Sequence, residues 1–209
     1  MFRGPIDQQR LMKIFSNHTD RQLFISHYDF SATDRHNRFY KSFVDDHCLA
    51  ENTDMLIAVM ELSMKMDYFK EELVNQAWSV YETKKFFFRL NFLDYLFFFK
   101  NKIDAALYLE INEAIFTNSL NVEVTFQAAI NLYDLTRYYA PYLYISLKRA
   151  CRSSDYYIFY KIVQFLEEEK GLNDHAIVLV YVKELLNDAC LILPGNHRLS
   201  LMKRLEQLG

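Results

Sequence analysis

Phe43-Val44-Asp45-Asp46-His47-Cys48-Leu49-Ala50-Glu51-Asn52-Thr53-Asp54-Met55-Leu56 reads as a corner between two helices. Phe39, Phe43 and Val44 share one face of a short helix, and the polar residues that follow interrupt it. Glu51 and Asn52 then stand just before a series at Leu56, Val59, Met60, Met64 and Met66, whose spacing approximates the helical period. A polar pair at such a start caps orphan N–H groups and suits the helix dipole. The same pair at an exposed corner is a surface that a second protein can contact. The two readings are compatible. The methionine spacing fits an ordinary core stripe as well as an adaptable groove, and the stripe is preferred.

Working outward, the helical period recurs along the chain. Upstream, Ile6, Leu11, Met12, Ile14 and Phe15 predict a first helix over residues 6–16. Asn17, His18, Thr19 and Asp20 offer a stop and a cap, and a short helix starts at Leu23, Phe24 and Ile25. Residues 31–34 form a second capping cluster. Downstream, Leu73, Val74, Ala77, Trp78 and Tyr81 predict a helix over 71–81. Residues 86–99 are apolar nearly all round, which marks a central element. Asp104 is placed to cap a helix over 105–115, and residues 118–123 form a polar break before a helix over 125–136. Pro141 disfavours helix at the residue before it, and the period resumes over 142–150. Two further helices are expected over 155–170, with Gly171 as a stop, and 174–193, where the flanks of Ile177-Val178-Leu179-Val180 favour helix over strand. Pro194, Gly195 and Asn196 break the chain before a last helix over 199–208.

Composition agrees with this pattern. Only 4 glycines and 3 prolines serve 209 residues, too few for a turn-rich β fold, while 51% hydrophobic residues support a substantial core. The net charge of −3, with both signs mixed along the chain, disfavours phosphate-backbone binding, so no nucleic-acid partner is expected. Cys48, Cys151 and Cys190 are sparse and odd in number, which fits a reducing, cytoplasmic setting rather than a disulfide framework. The N-terminus shows no apolar signal region, and the run at 86–99 is too short to span a bilayer and carries Arg89, Asn91 and Asp94. The absence of linkers and tails is expected of a minimal or excised domain.

No catalytic constellation stands out. Glycines at 4, 171, 195 and 209 cannot build a phosphate loop. His47 and Cys48 are adjacent, so on a helix they point apart, which argues against zinc there. Cys48 lacks a positioned base and reads as a structural cysteine. No cofactor or metal is expected, and an enzyme is the weaker hypothesis.

The order of elements resembles the RGS domains, regulators of G-protein signalling. Residues 39–56 are similar to that family's hallmark, an aromatic-led short helix, an acidic stretch and Glu-Asn opening an apolar helix, with Leu56 where Trp is usual. Ala77-Trp78-Ser79-Val80-Tyr81 resembles Ala-x-x-Ile-Tyr. Ile103-Asp104 resembles the Leu-Asp segment, Thr125-Phe126-Gln127-Ala128-Ala129 resembles Thr-Phe-Asp-x-Ala, and Pro141-Tyr142-Leu143-Tyr144-Ile145-Ser146 resembles Pro-Arg-Phe-Leu-x-Ser. The likeness implies an all-α bundle of about nine helices over residues 1–150, with its core at 20–150 and additional C-terminal helices at 151–209 packed on it. It implies a protein partner, a Gα subunit, whose switch segments such a domain holds in the geometry for GTP hydrolysis without supplying an acid or base. Glu51 and Asn52 would face the switches, with His47 and Cys48 on the same loop. The loop asparagine of active members maps near Asn101 or Lys102, with Asn91 a rival, because residues are inserted between Tyr81 and Ile103. The late Asp and Arg of active members align with Tyr138 and Tyr142, which removes a salt-bridged anchor. Weak or absent GTPase acceleration is therefore expected. A rival reading is another all-α interaction domain, such as a virus-encoded Bcl-2-like module that binds an amphipathic helix.

Overall fold

The computed structural model describes residues 6–27, 34–136, 140–153, 156–168, 175–187 and 195–208. Among these residues the chain is all-helical, with twelve α-helices, one 3-10 turn and no strand. The helices are α1 (Gln8–Phe15), α2 (His18–His27), α3 (Asp34–His47), α4 (Thr53–Lys65), α5 (Glu71–Val80), α6 (Phe86–Phe98), α7 (Ala105–Asn118), α8 (Val122–Thr136), α9 (Ala140–Ser153), α10 (Tyr156–Glu168), α11 (His175–Asn187) and α12 (Gly195–Glu206). No helix among the described residues is long and apolar enough to cross a membrane.

The chain divides into two compact units, Met1–Tyr108 and Leu109–Gly209, with the division inside α7. In the first unit α4 is the hub: α1, α2, α3, α5 and α6 all pack on it. Nine successive residues, 55–63, are buried along it. The rings of Phe15, Phe24, Phe43 and Tyr40 form a cluster, edge to face at Phe15–Phe24 and at Phe15–Phe43, whose centroids are 5.4 Å apart, and tilted at Phe24–Tyr40. Such ring pairs add specificity to the bulk gain from burial.

One pair of opposite charges sits inside this apolar packing. Glu61, midway along α4, accepts from Arg21 Nε of α2 at 3.0 Å and from Gln22 Nε2 at 2.7 Å. Arg21 also donates to the Phe15 carbonyl at 3.2 Å, which ties the end of α1 into the same network. Burial pushes the Glu61 carboxyl above its ordinary range, and the Arg21 charge opposes that rise without cancelling it.

α4 ends in a Schellman motif. The Tyr68 N–H reaches back to the Ser63 carbonyl at 2.9 Å and the Asp67 N–H to Met64 at 3.2 Å. Asp67 takes the left-handed backbone conformation this requires, φ 49°, where glycine is the usual residue. Lys102 Nζ bonds the Asp67 carboxylate at 2.7 Å. The Tyr95 hydroxyl accepts from the Lys70 N–H at 3.2 Å and donates to the Lys70 carbonyl at 3.3 Å, closing the same turn. Burial pushes that hydroxyl up to about 12, so it stays protonated in its role.

The second unit is built on α8 and α9, with α10 and α11 on α9 and α12 against α10 and α11. Its interior holds a short amide chain, in which Gln127 donates to Asn131 at 3.2 Å and Asn131 to Asn112 at 2.9 Å. Both asparagines are fully buried, and paired amides of this kind avoid the cost of unsatisfied groups. Lys161–Glu123 at 2.9 Å and Arg204–Glu167 at 2.8 Å pin α10 to α8 and α12. Residue 150, where the resemblance places the end of the bundle, falls within α9.

Several local expectations need correction. α2 begins at His18 rather than Leu23, because Asn17 Oδ1 accepts from the Asp20 N–H at 3.0 Å and so opens the helix early. α12 begins at Gly195, inside the stretch read as a break. The run at 86–99 forms α6 but is not the central element: Phe87 and Phe98 are 68% and 51% exposed. Apolar composition says nothing about which sides find a neighbour, and α6 lays one side on α4. Residues 31–33 and Gly171 lie outside the described residues. Asp104 caps α7 as expected, accepting from Ala106 and Leu107 N–H at 3.0 Å each, and Ile177 to Val182 are helical within α11.

Candidate functional site: the corner between α3 and α4

The corner predicted from residues 43–56 is present. α3 ends at His47, a turn covers Cys48 and Leu49, and α4 begins at Thr53. Asn52 is the N-cap of α4: its Oδ1 accepts from the N–H groups of Asp54 at 2.9 Å and Met55 at 3.1 Å. That commits its carbonyl oxygen and leaves the amide nitrogen on the exposed side.

The connecting segment lies along α5 and is fastened to it in order. Lys70 Nζ meets Asp45 at 2.8 Å before the helix, Gln76 Nε2 donates to the Ala50 carbonyl at 3.3 Å, and Lys84 Nζ donates to the Glu51 carbonyl at 3.2 Å beyond its end. The backbone of the corner is held at the Ala50 and Glu51 carbonyls, while the Glu51 side chain stays exposed. Fixed backbone with free polar side chains is the arrangement a contact surface needs, since less conformational freedom is lost on binding.

Beside the corner is a half-open recess of about 290 Å³, lined by Met12, Phe15 and Ser16 of α1 and by His47, Ala50, Glu51, Asn52, Asp54 and Met55. The His47 ring stacks at a tilt on Phe43, centroids 4.4 Å apart, and its Nε2 is buried with no hydrogen-bond partner among the described residues. A buried polar atom left this way costs about 1–3 kcal/mol.

The structure thus brings His47, Glu51 and Asn52 around one recess and sorts the other expected residues elsewhere. Cys48 faces inward, 6% exposed, with its Sγ on the Asp45 carbonyl at 3.4 Å. Burial pushes its thiol up, which disfavours the thiolate a nucleophile needs. Lys102 is held by Asp67 at the other end of α4, about 20 Å along a 13-residue helix. Asn101 shares that end. Asn91 lies on α6, donating to the Phe87 carbonyl at 2.9 Å. Tyr142 belongs to the second unit, where its hydroxyl meets Glu113 at 3.4 Å and its ring sets an edge on Phe116. Tyr138 lies outside the described residues.

Sequence reasoning missed Met12, Phe15, Ser16, Asp54 and Met55 as recess residues, and Gln76 and Lys84 as its braces. Asp54 and Met55 stood inside the quoted stretch and were passed over as ordinary helix. The others come from distant segments, and no local pattern announces a meeting between residue 12 and residue 55. Among the described residues, no group of three or more His, Cys, Asp or Glu side chains is gathered closely enough to hold a metal ion. Compared with family models, curated proteins and solved structures, the chain matches none of them.

Proposed function

We propose that this protein is an interaction module of the RGS-like class that binds a Gα subunit through the α3–α4 corner, with weak or absent GTPase-accelerating activity. One observation carries the reading. The Glu-Asn pair, on which the family resemblance turns, stands exposed on a backbone fastened at the Ala50 and Glu51 carbonyls. Asn52 combines the two roles weighed for it, since its carbonyl oxygen caps α4 and its amide nitrogen remains available to a partner.

The loss of acceleration follows from what is not at the corner. Holding flexible switches in a transition-state geometry takes contacts from several loops at once. Asn101 and Lys102, near which the family's loop asparagine maps, stand about 20 Å away along α4, and the rival Asn91 is on α6. Lys84, the cation bonded at Glu51, is committed to its backbone carbonyl. A corner of this kind can dock on a partner without organising its chemistry.

The test is binding to Gα loaded with GDP and aluminium fluoride, compared with GDP alone, for each Gα class, followed by single-turnover GTP hydrolysis. Binding with less than about a threefold change in rate, near 0.65 kcal/mol, is the expected result. Robust acceleration overturns the loss of activity, and failure to bind any Gα overturns the choice of partner.

A further inference from the structure

The recess beside the corner has a lining that selects its occupant. Its apolar part is Met12, Phe15, Ala50 and Met55, and its exposed rim carries the carboxylates of Glu51 and Asp54. Among the described residues, no lysine or arginine lines it. Lys84 Nζ bonds the Glu51 backbone carbonyl. We infer that this recess is a subsite for one long basic side chain, arginine or lysine, presented by a partner protein. The inference rests on the reading of the corner as a protein-binding surface.

Charge and shape decide among occupants. A basic side chain is apolar along its stem and charged at its tip, and it settles with the stem on apolar surface and the head among polar groups. Here the stem lies on Met12 and Met55, whose flexible thioethers adapt to its shape, and the head meets Glu51 and Asp54. A leucine or methionine would fill the same floor but strip water from two carboxylates and return nothing to them. An anion would be drawn to the start of α4 by the helix dipole. Yet Asn52 Oδ1 already takes the N–H groups of Asp54 and Met55, and both rim carboxylates repel it. The dipole, worth roughly half an elementary charge, opposes a cation less than two full negative charges attract one.

The test needs no G protein. The chain is labelled at its methionine methyls, and Nα-acetyl-arginine amide, the lysine analogue, the neutral isostere citrulline and norleucine are titrated in turn. The two basic probes are expected to shift the Met12 and Met55 methyls saturably, with dissociation constants on the order of 1–10 mM, and to leave Met66, at the opposite end of α4, unmoved. Citrulline and norleucine are expected to bind at least about fivefold more weakly. The E51Q/D54N double variant, which keeps the Asn52 cap, is expected to lose the basic preference without loss of thermal stability. Equal shifts from norleucine or citrulline overturn the proposal, as does an unchanged arginine response in the double variant. So does an absence of any shift at Met12 and Met55. Gα binding without arginine binding removes this subsite alone, whereas arginine binding without Gα binding removes the Gα reading and leaves the subsite standing.

Discussion

α4 carries acidic side chains in two opposite circumstances. Glu61, in its middle, is buried and closed in by Arg21 and Gln22, each from α2. Glu51 and Asp54, at its start, are exposed beside a recess. The first arrangement holds two helices in register, and a buried pair of this kind gains specificity more than stability because desolvation consumes much of the attraction. The second leaves charge facing water, where it adds little to the fold and is available to another molecule. Substitutions that treat the two sites alike should therefore give opposite results.

The largest effect is expected at the buried site. Glu61→Ala leaves Arg21 charged and unpaired, and should cost about 3–5 kcal/mol in urea unfolding. Replacing both partners with methionine should restore most of that loss. A cost below about 1 kcal/mol for the single change would show that the pair is not an anchor.

The pH dependence has a definite sign. Because burial holds the folded-state value of Glu61 above its ordinary 4.5, the folded chain keeps that proton more tightly than the unfolded chain does. The associated stability is fully present below 4.5 and is lost as pH rises through the raised folded value. Measured against Glu61→Gln, which cannot titrate, the wild-type protein should lose relative stability on going from about pH 4 to about pH 7. A gain over that range contradicts the account.

At the corner the effects on folding shrink. Asn52→Ala removes a cap that satisfies two N–H groups and should cost about 1 kcal/mol. Glu51→Gln should change stability by less than about 0.5 kcal/mol. Lys102→Ala, at the far end of α4, breaks an exposed ion pair and should cost no more than about 1 kcal/mol. A Lys102→Ala variant that impaired partner binding as much as a corner variant would break the comparison, because it would place both ends of α4 in one contact surface.

What the sequence disclosed and what it hid follow from the range of the forces involved. Asn52 and Asp104 were legible as caps because a cap is made with residues two or three positions on. The helical character of residues 177–182 was legible from its polar flanks. α6 was placed correctly and ranked wrongly: its phenylalanines raise the mean apolarity on every side, but burial depends on which sides meet another helix, and Phe87 and Phe98 meet little. The grouping of Lys102 with Glu51 failed for a geometric reason. The 13-residue helix α6 between residues 85 and 99 carries the chain from the corner back to the opposite end of α4. The recess was invisible because it forms only where α1 packs beside residues 47–55, a long-range meeting that no periodicity encodes.

The most direct test pairs two readings on Glu51→Lys: thermal unfolding, and binding to Gα loaded with GDP and aluminium fluoride. The proposed account expects unfolding within about 0.5 kcal/mol of the wild type and at least a tenfold loss of affinity, about 1.4 kcal/mol. Undiminished binding by a stably folded Glu51→Lys protein would contradict the claim that this corner is the working surface of the molecule.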